Sequence, residues 1–165
     1  HYKAFVKSIT FDNGKEFTGV AVNGSDNVFV TLRTKVLKYD KSGNQVGSWG
    51  TEGRERGQFS VVTDVAVSGV HVYVADAGNR VVHHFDMTGD FIEGIGEKDE
   101  LSDNPGLICP SPYLDCQVDE QGRVHVTNPG RLRVDIYDDT GEEQCGDISF
   151  ARGPSNGPDE GDGDK

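Results

Sequence analysis

The chain has 165 residues, with 16 Lys plus Arg against 28 Asp plus Glu, a formal charge of −12 and a pI near 4.7. That length holds one domain with a real core, and a uniformly acidic surface repels phosphate, so broad nucleic-acid binding is disfavoured. No apolar run is long enough for a transmembrane segment or a signal-peptide core, and 22 glycines, about twice the usual ~7% share, call for many turns and short strands.

Residues 2–9 alternate like a single strand. From residue 16 onward the sequence repeats. The stretch Gly19-Val-Ala-Val-Asn-Gly-Ser-Asp-Asn-Val-Phe-Val, then Lys35-Val-Leu-Lys-Tyr-Asp-Lys-Ser-Gly, aligns with residues 64–89 and with residues 114–141. Asp40, Asp86 and Asp138 correspond at spacings of 46 and 52; Ala21, Ala66 and Cys116 correspond at 45 and 50. Alternation and β-branched enrichment predict four strands per unit. The first lies at 20–22, 65–67 or 115–118, the second at 28–31, 72–75 or 124–127. The third lies at 35–39, 81–85 or 133–137, the fourth at 45–49, 90–95 or 143–148. After each third strand, Asp-x-x-Gly (Asp40 to Gly43, Asp86 to Gly89, Asp138 to Gly141) predicts a type I turn with glycine at positive φ. No 12-residue stretch carries helical periodicity.

Four antiparallel strands per 40–50 residues is the period of a β-propeller blade. Strands such as Val72-Tyr-Val-Ala are apolar nearly throughout, which fits a sheet buried on both faces. The expected fold class is therefore all-β, with about three blades of four antiparallel strands at 16–56, 57–104 and 105–150. Residues 1–15 read as the last strand of a preceding blade, and 151–165 as an acidic Gly/Pro-rich tail too poor in apolar groups to fold by itself. Propellers close with roughly four to eight blades. Three blades read as about half of a six-bladed ring, so the remaining half, as a complementary segment or a second copy, is an expected partner.

The run Val72-Tyr-Val-Ala-Asp-Ala-Gly-Asn-Arg-Val-Val-His-His-Phe-Asp, with Gly57-Gln-Phe before it and Gly94-Ile-Gly after it, resembles the NHL repeat. The first unit is two residues short around Arg33 and lacks a counterpart of Asp76; the third carries Asn128-Pro-Gly instead. The resemblance spans residues 16–150. It implies a docking platform for protein or RNA. A minority of such propellers are enzymes, among them lyases that cleave peptidyl-hydroxyglycine with histidines converging on zinc.

Charge placement points to the docking reading. In a propeller the second-to-third and fourth-to-first connections share one end. That end carries Arg33, Asn79, Arg80 and Arg131, with Arg54 and Arg56 from a fourth-to-first loop, although Glu97, Asp99, Glu100 and Asp103 sit in the other such loop. The opposite end carries Asp26, Asp40, Asp86, Asp90, Asp119, Glu120, Asp138, Asp139 and Glu142. The six residues of the first set are the expected binding residues for a protein or peptide, because arginine is favoured where carboxylates or planar groups are recognised.

The catalytic signals are weaker. His71, His83, His84 and His125 do not occupy equivalent positions in the units, so no zinc centre, no other cofactor and no catalytic residue is expected. The enzyme reading, part of a metal-dependent propeller lyase or hydrolase, stays as the alternative. Cys109, Cys116 and Cys145 lack the spacing of a zinc site. They are open either to one disulfide or to burial as thiols. The expected location is extracytoplasmic, secreted or periplasmic.

Overall fold

The structure, a computed structural model, describes residues 16–98, 106–108, 113–138 and 140–144, and the backbone of 148–149. Among the described residues, twelve strands form three four-stranded antiparallel sheets. The first holds β1 (Phe17–Val22), β2 (Val28–Leu32), β3 (Lys35–Tyr39) and β4 (Gln45–Trp49). The second holds β5 (Val62–Ser68), β6 (His71–Asp76), β7 (Val81–Asp86) and β8 (Phe91–Ile95). The third holds β9 (Cys116–Val118), β10 (Val124–Asn128), β11 (Arg133–Tyr137) and β12 (Ile148–Ser149). In each sheet the strands lie in chain order, and β1 packs on β5 and β5 on β9. This is the arrangement of propeller blades with their first strands side by side. The described residues contain no helix, and therefore none long and apolar enough to cross a membrane.

The middle blade shows why its strands are apolar on both sides. Val72, Val74 and Phe85 face the first blade, where they meet Phe29 and Val36 in a core shared with Val62 and Val65 of β5 and with Phe59 of its entry loop. Tyr73, Ala75 and Val82 face the third, where they meet Leu107, Leu114, Cys116, Val124, Val126 and Tyr137. Period-2 alternation thus sends neighbouring residues into two different cores. The loops entering β5 and β9 repeat one anchor. The Phe59 N–H donates to the Thr51 carbonyl at 2.8 Å and the Leu107 N–H to the Gly96 carbonyl at 2.9 Å, and both side chains are buried. Gly50 (φ 101°) and Gly96 (φ 73°) precede these anchors. A Cβ would lie 2.4 Å from the Phe59 ring in one case and 2.6 Å from Leu107 in the other, so backbone angle and close approach both demand glycine there.

The hairpin turns follow the Asp-x-x-Gly expectation. Gly43, Gly89 and Gly141 all have positive φ, and their N–H groups donate to the carbonyls of Asp40, Asp86 and Asp138. Each aspartate's Oδ1 also accepts N–H groups two and four residues on. The fourth strand of the third blade differs from the expected 143–148. Glu143 forms only an isolated bridge to Tyr137, and strand pairing resumes at β12, opposite Arg133 and Val134. The physical reason is the grip on this stretch: Gln144 N–H donates to the Ile136 carbonyl at 2.7 Å, and the Arg133 guanidinium holds the Glu143 carboxylate. The expected strand at 2–9, the tail 151–165, Cys109, Cys145 and Asp139 lie outside the described residues.

The seam between β5 and β9 carries a charge that should not be there. Asp64 is half-buried beside Asp115 and accepts the Cys116 N–H at 3.2 Å. Burial, and then the hydrogen bond shared with Asp115, push its carboxyl up to about 7. A carboxyl raised by folding stabilises the fold while protonated, and that contribution is lost as pH rises through 7. Melting temperature should therefore drop between pH 6 and pH 8.5, and Asp64→Asn should flatten that slope, which a thermal scan at both pH values checks. Phe59→Ala should cost about 3–5 kcal/mol by opening the seam between the first two blades, while exposed Val70→Ala should change stability by less than ~0.5 kcal/mol. Urea unfolding of the two variants measures both.

Candidate functional site

Between the middle blade and the loops that enter and leave it lies a cleft of about 380 Å³. The β4–β5 loop supplies Arg54, Glu55 and Arg56; the β6–β7 turn supplies Asn79 and Arg80; the segment after β8 supplies Glu97 and Lys98, with His83 and Leu107 at the base. Four of the six expected binding residues, Arg54, Arg56, Asn79 and Arg80, therefore converge. Arg33 lines a separate cleft of about 520 Å³ with Glu16, Thr18 and Lys35. Arg131 turns toward the buried carboxylate of Asp135 at 4.0 Å, beside Arg133. Lys98 and His83 were not among the expected residues. Lys98 stands in a loop that reads as acidic, and His83 is legible as a blade-facing residue only through strand alternation.

The walls are held by one carboxylate. Asp76, at the end of β6, is fully buried and accepts five N–H donors: the backbone of Ser60 (2.8 Å), Val61 (2.9 Å), Gly78 and Asn79 (3.0 Å each), and the Asn79 side chain (3.0 Å). The Asn79 amide also donates to the carbonyls of Gly53 (3.0 Å) and Gln58 (3.2 Å). Asn79 thereby pins the loop that carries Arg54, Glu55 and Arg56, and is a positioning residue. Burial by itself raises the Asp76 carboxyl. The adjacent His83 ring and the N–H groups of Val61, Ser60 and Asn79 outweigh burial and hold it below the usual aspartate range. Arg80 takes φ 59° at the tip of the turn, a left-handed conformation rarely adopted by side chains of its kind.

The cations in the cleft are unspent. Arg54, Arg56 and Arg80 are exposed, as is Lys98, and none has an ion pair among the described residues. Arg123, Arg131 and Arg133 are all engaged with Asp119, Asp135 or Glu143. At the opposite end of the sheets, Asp40, Asp86, Asp119 and Asp138 are tied into turns by accepting the backbone N–H groups of residues two or four further on. Asp119 also pairs with Arg123 and His125, and these hydrogen bonds, that of His125 foremost, lower its carboxyl.

The histidines separate. His84 is buried and stacks on Tyr73 at 4.5 Å; its Nδ1 lies 2.9 Å from Glu93 Oε1 and its Nε2 2.8 Å from His71 Nδ1. His83, one residue earlier, faces the other seam. Among the described residues, no three His, Cys, Asp or Glu side chains are grouped so as to hold a metal ion. Cys116 is a buried free thiol, and burial pushes its pKa well up.

No family model matches this chain, and no curated protein matches it in sequence. Solved structures do match. Virginiamycin B lyase from Staphylococcus aureus is 11% identical over 86% of this chain and 43% of its own length, with a TM-score of 0.60. A chain of a nidogen–laminin complex is 14% identical over 79% of this chain and 47% of its own, at 0.57. The computationally designed Ika4 protein is 12% identical over 80% of this chain and 72% of its own, also at 0.57. The chain spans less than half of the lyase, and at these identities the likeness shows the β-propeller fold alone.

The latch has a testable signature. Asp76→Asn should destabilise the chain by about 2–4 kcal/mol, since an amide cannot accept these five donors and leaves buried N–H groups unpaired. A carboxyl lowered by folding contributes fully above the ordinary aspartate value near ~3.9 and loses that contribution as pH falls through its folded value. The wild type should therefore lose stability below pH 4 more steeply than Asp76→Asn, as denaturant midpoints at pH 3 and pH 6 report.

Proposed function

We propose that the chain is a set of NHL-type propeller blades that acts without catalysis, docking a protein or peptide through the end that carries its β4–β5 and β6–β7 loops. The observation that carries this reading is the group of four cations, Arg54, Arg56, Arg80 and Lys98, that surround one cleft without an ion pair among the described residues. The NHL assignment rests on Asp76-Ala-Gly-Asn-Arg, whose Asp and Asn both act to shape that cleft. Proteins of this fold include a chain from a nidogen–laminin complex, which supports a binding role without naming a ligand. The ligand that suits the cleft carries negative charge. Nucleic acid is disfavoured by the overall charge of −12.

A second contact surface is apolar. Val20 and Val22 lie exposed on the first sheet, opposite Val30 and Val28 and so on the side of the Val30, Leu32, Leu37 and Tyr39 cluster. We take its occupant to be a further blade of the same kind, because inside the chain such faces are covered by neighbouring blades.

The docking reading is tested with an acidic peptide. Reversing Arg54, Arg56 and Arg80 to Glu should weaken binding at least tenfold and remove most of its salt dependence, because exposed charges act largely through association rate. Arg80→Gly is the cleaner single change. It removes one cation where the backbone favours glycine, so binding should fall while melting temperature holds or rises. Unchanged binding in both variants, by surface plasmon resonance at two salt concentrations, would overturn the reading.

A further inference from the structure

His83 is buried to 2% exposure yet lines the cation cleft. Its ring meets Phe59 edge-on at 5.2 Å, Phe91 at 5.9 Å and Phe85 at 6.1 Å. Neither ring nitrogen makes a hydrogen bond; Nε2 lies 3.6 Å from Asp76 Oδ2, beyond hydrogen-bond range. A buried imidazole ordinarily has both nitrogens satisfied, because an unpaired polar group in an apolar setting is unfavourable. His83 is instead placed between an ionised carboxylate and a basic cleft.

The surrounding charges decide which proton states are open to it. From β6 the ring faces Asp76; from the β6–β7 turn, Arg80; from the β4–β5 loop, Arg54, Glu55 and Arg56; from the segment after β8, Glu97 and Lys98. The rings of Phe59, Phe85 and Phe91 also pack against it. Asp76 favours a proton on Nε2, which leaves Nδ1 as a lone pair in the neutral ring. A second proton makes an imidazolium that Asp76 stabilises and the four cations oppose. An anion settling among those cations cancels their field at the ring. Both nitrogens are shielded from solvent, so that change reaches them through a medium of low dielectric and is weakly screened.

We propose that the cleft takes a carboxylate side chain of an acidic peptide, and that His83 takes up one proton as the carboxylate binds. This rests on the docking reading and adds to it the chemistry of the ligand and a pH dependence. The proton comes from solvent and goes to Nδ1; no covalent bond to the ligand forms or breaks. Glu55 and Glu97 in the same walls favour a singly charged carboxylate over a phosphate dianion, whose extra charge they repel. His83 acts by changing charge beside the ligand, so it is a positioning residue for binding rather than a contact.

The experiment is calorimetric titration of the 165-residue chain with acetyl-hexaglutamate amide, in buffers of different ionisation enthalpy. Binding should be accompanied by net proton uptake, and affinity should rise as pH falls from 8 to 6, by at most tenfold per pH unit, the limit for one linked proton. His83→Phe, which suits the aromatic surroundings, should abolish both the uptake and the pH dependence while leaving a weaker, salt-sensitive binding. If that variant does not fold, the ¹⁵N shifts of the wild-type His83 ring should move toward the imidazolium values as peptide is added. Binding with no proton exchange and no shift of that ring overturns the inference and leaves docking intact. No binding at any pH overturns docking itself. A phosphoserine peptide that binds more tightly than hexaglutamate overturns the choice of carboxylate.

Discussion

The candidate site depends on one buried carboxylate. Asp76 closes the end of β6, fixes the first residues entering β5 through Ser60 and Val61, and shapes the turn that presents Arg80. The two other blades show what happens without it. In the third, Asn128 stands at the equivalent strand end, accepts the Ile108 N–H, and gives its amide to Asp135. In the first, Leu32 ends the strand with no side-chain acceptor, and the Val62 N–H donates to the Arg33 carbonyl. An ionised carboxylate can gather several N–H groups at once; an amide accepts fewer, and leucine none. The middle blade therefore has its loops latched by a buried carboxylate, and the converging cations are there too.

A chain with a charge of −12 can still present a basic cleft because its charges are sorted by use. Asp40, Asp86, Asp119 and Asp138 serve turns at one end of the sheets, where their oxygens accept backbone N–H groups. The arginines and lysine at the other end serve no such role. Exposed charges separated by more than about 8–10 Å are largely screened at physiological salt, so the acidic turns do little to cancel the potential inside the cleft. Net charge sets solubility and long-range behaviour; the local surplus decides what binds.

Much of this was legible in the sequence. The Asp-x-x-Gly spacing located all three turns, since a side-chain-locked turn with a left-handed glycine has few alternatives. The third strand of the last blade lies at 133–137, where its regular alternation predicts it. Apolar runs such as Val72-Tyr-Val-Ala revealed a sheet buried on both sides. The convergence of loops was less legible. Arg54 and Arg80 belong to different connections, and no local pattern shows that they share a cleft while Arg33 does not. Arg131 looked like its neighbours, yet Asp135 lies four residues on, across the β10–β11 turn, and draws it inward. Lys98 was hidden by the acids around it, and the fourth strand of the third blade by a side-chain grip that strand periodicity cannot express.

His83 and His84 make the distinction between scaffold and site concrete. They are adjacent, of one residue type, and equally buried at 2% exposure. Strand geometry turns them into opposite seams. His84 is placed between Glu93 and His71 with both nitrogens satisfied, and Tyr73 stacks on its ring. Every polar atom has a partner inside the fold, so its conservative explanation is structural. His83 has the same burial without those partners, although a carboxylate stands 3.6 Å away and a cleft opens beside it. If the seam needed only an aromatic wedge between Phe59 and Phe91, phenylalanine would fill it at no desolvation penalty. An imidazole there carries a desolvation penalty that its place beside the Asp76 carboxylate offsets in part, and the proposed binding of an anion in the cleft gives the second protonation a use.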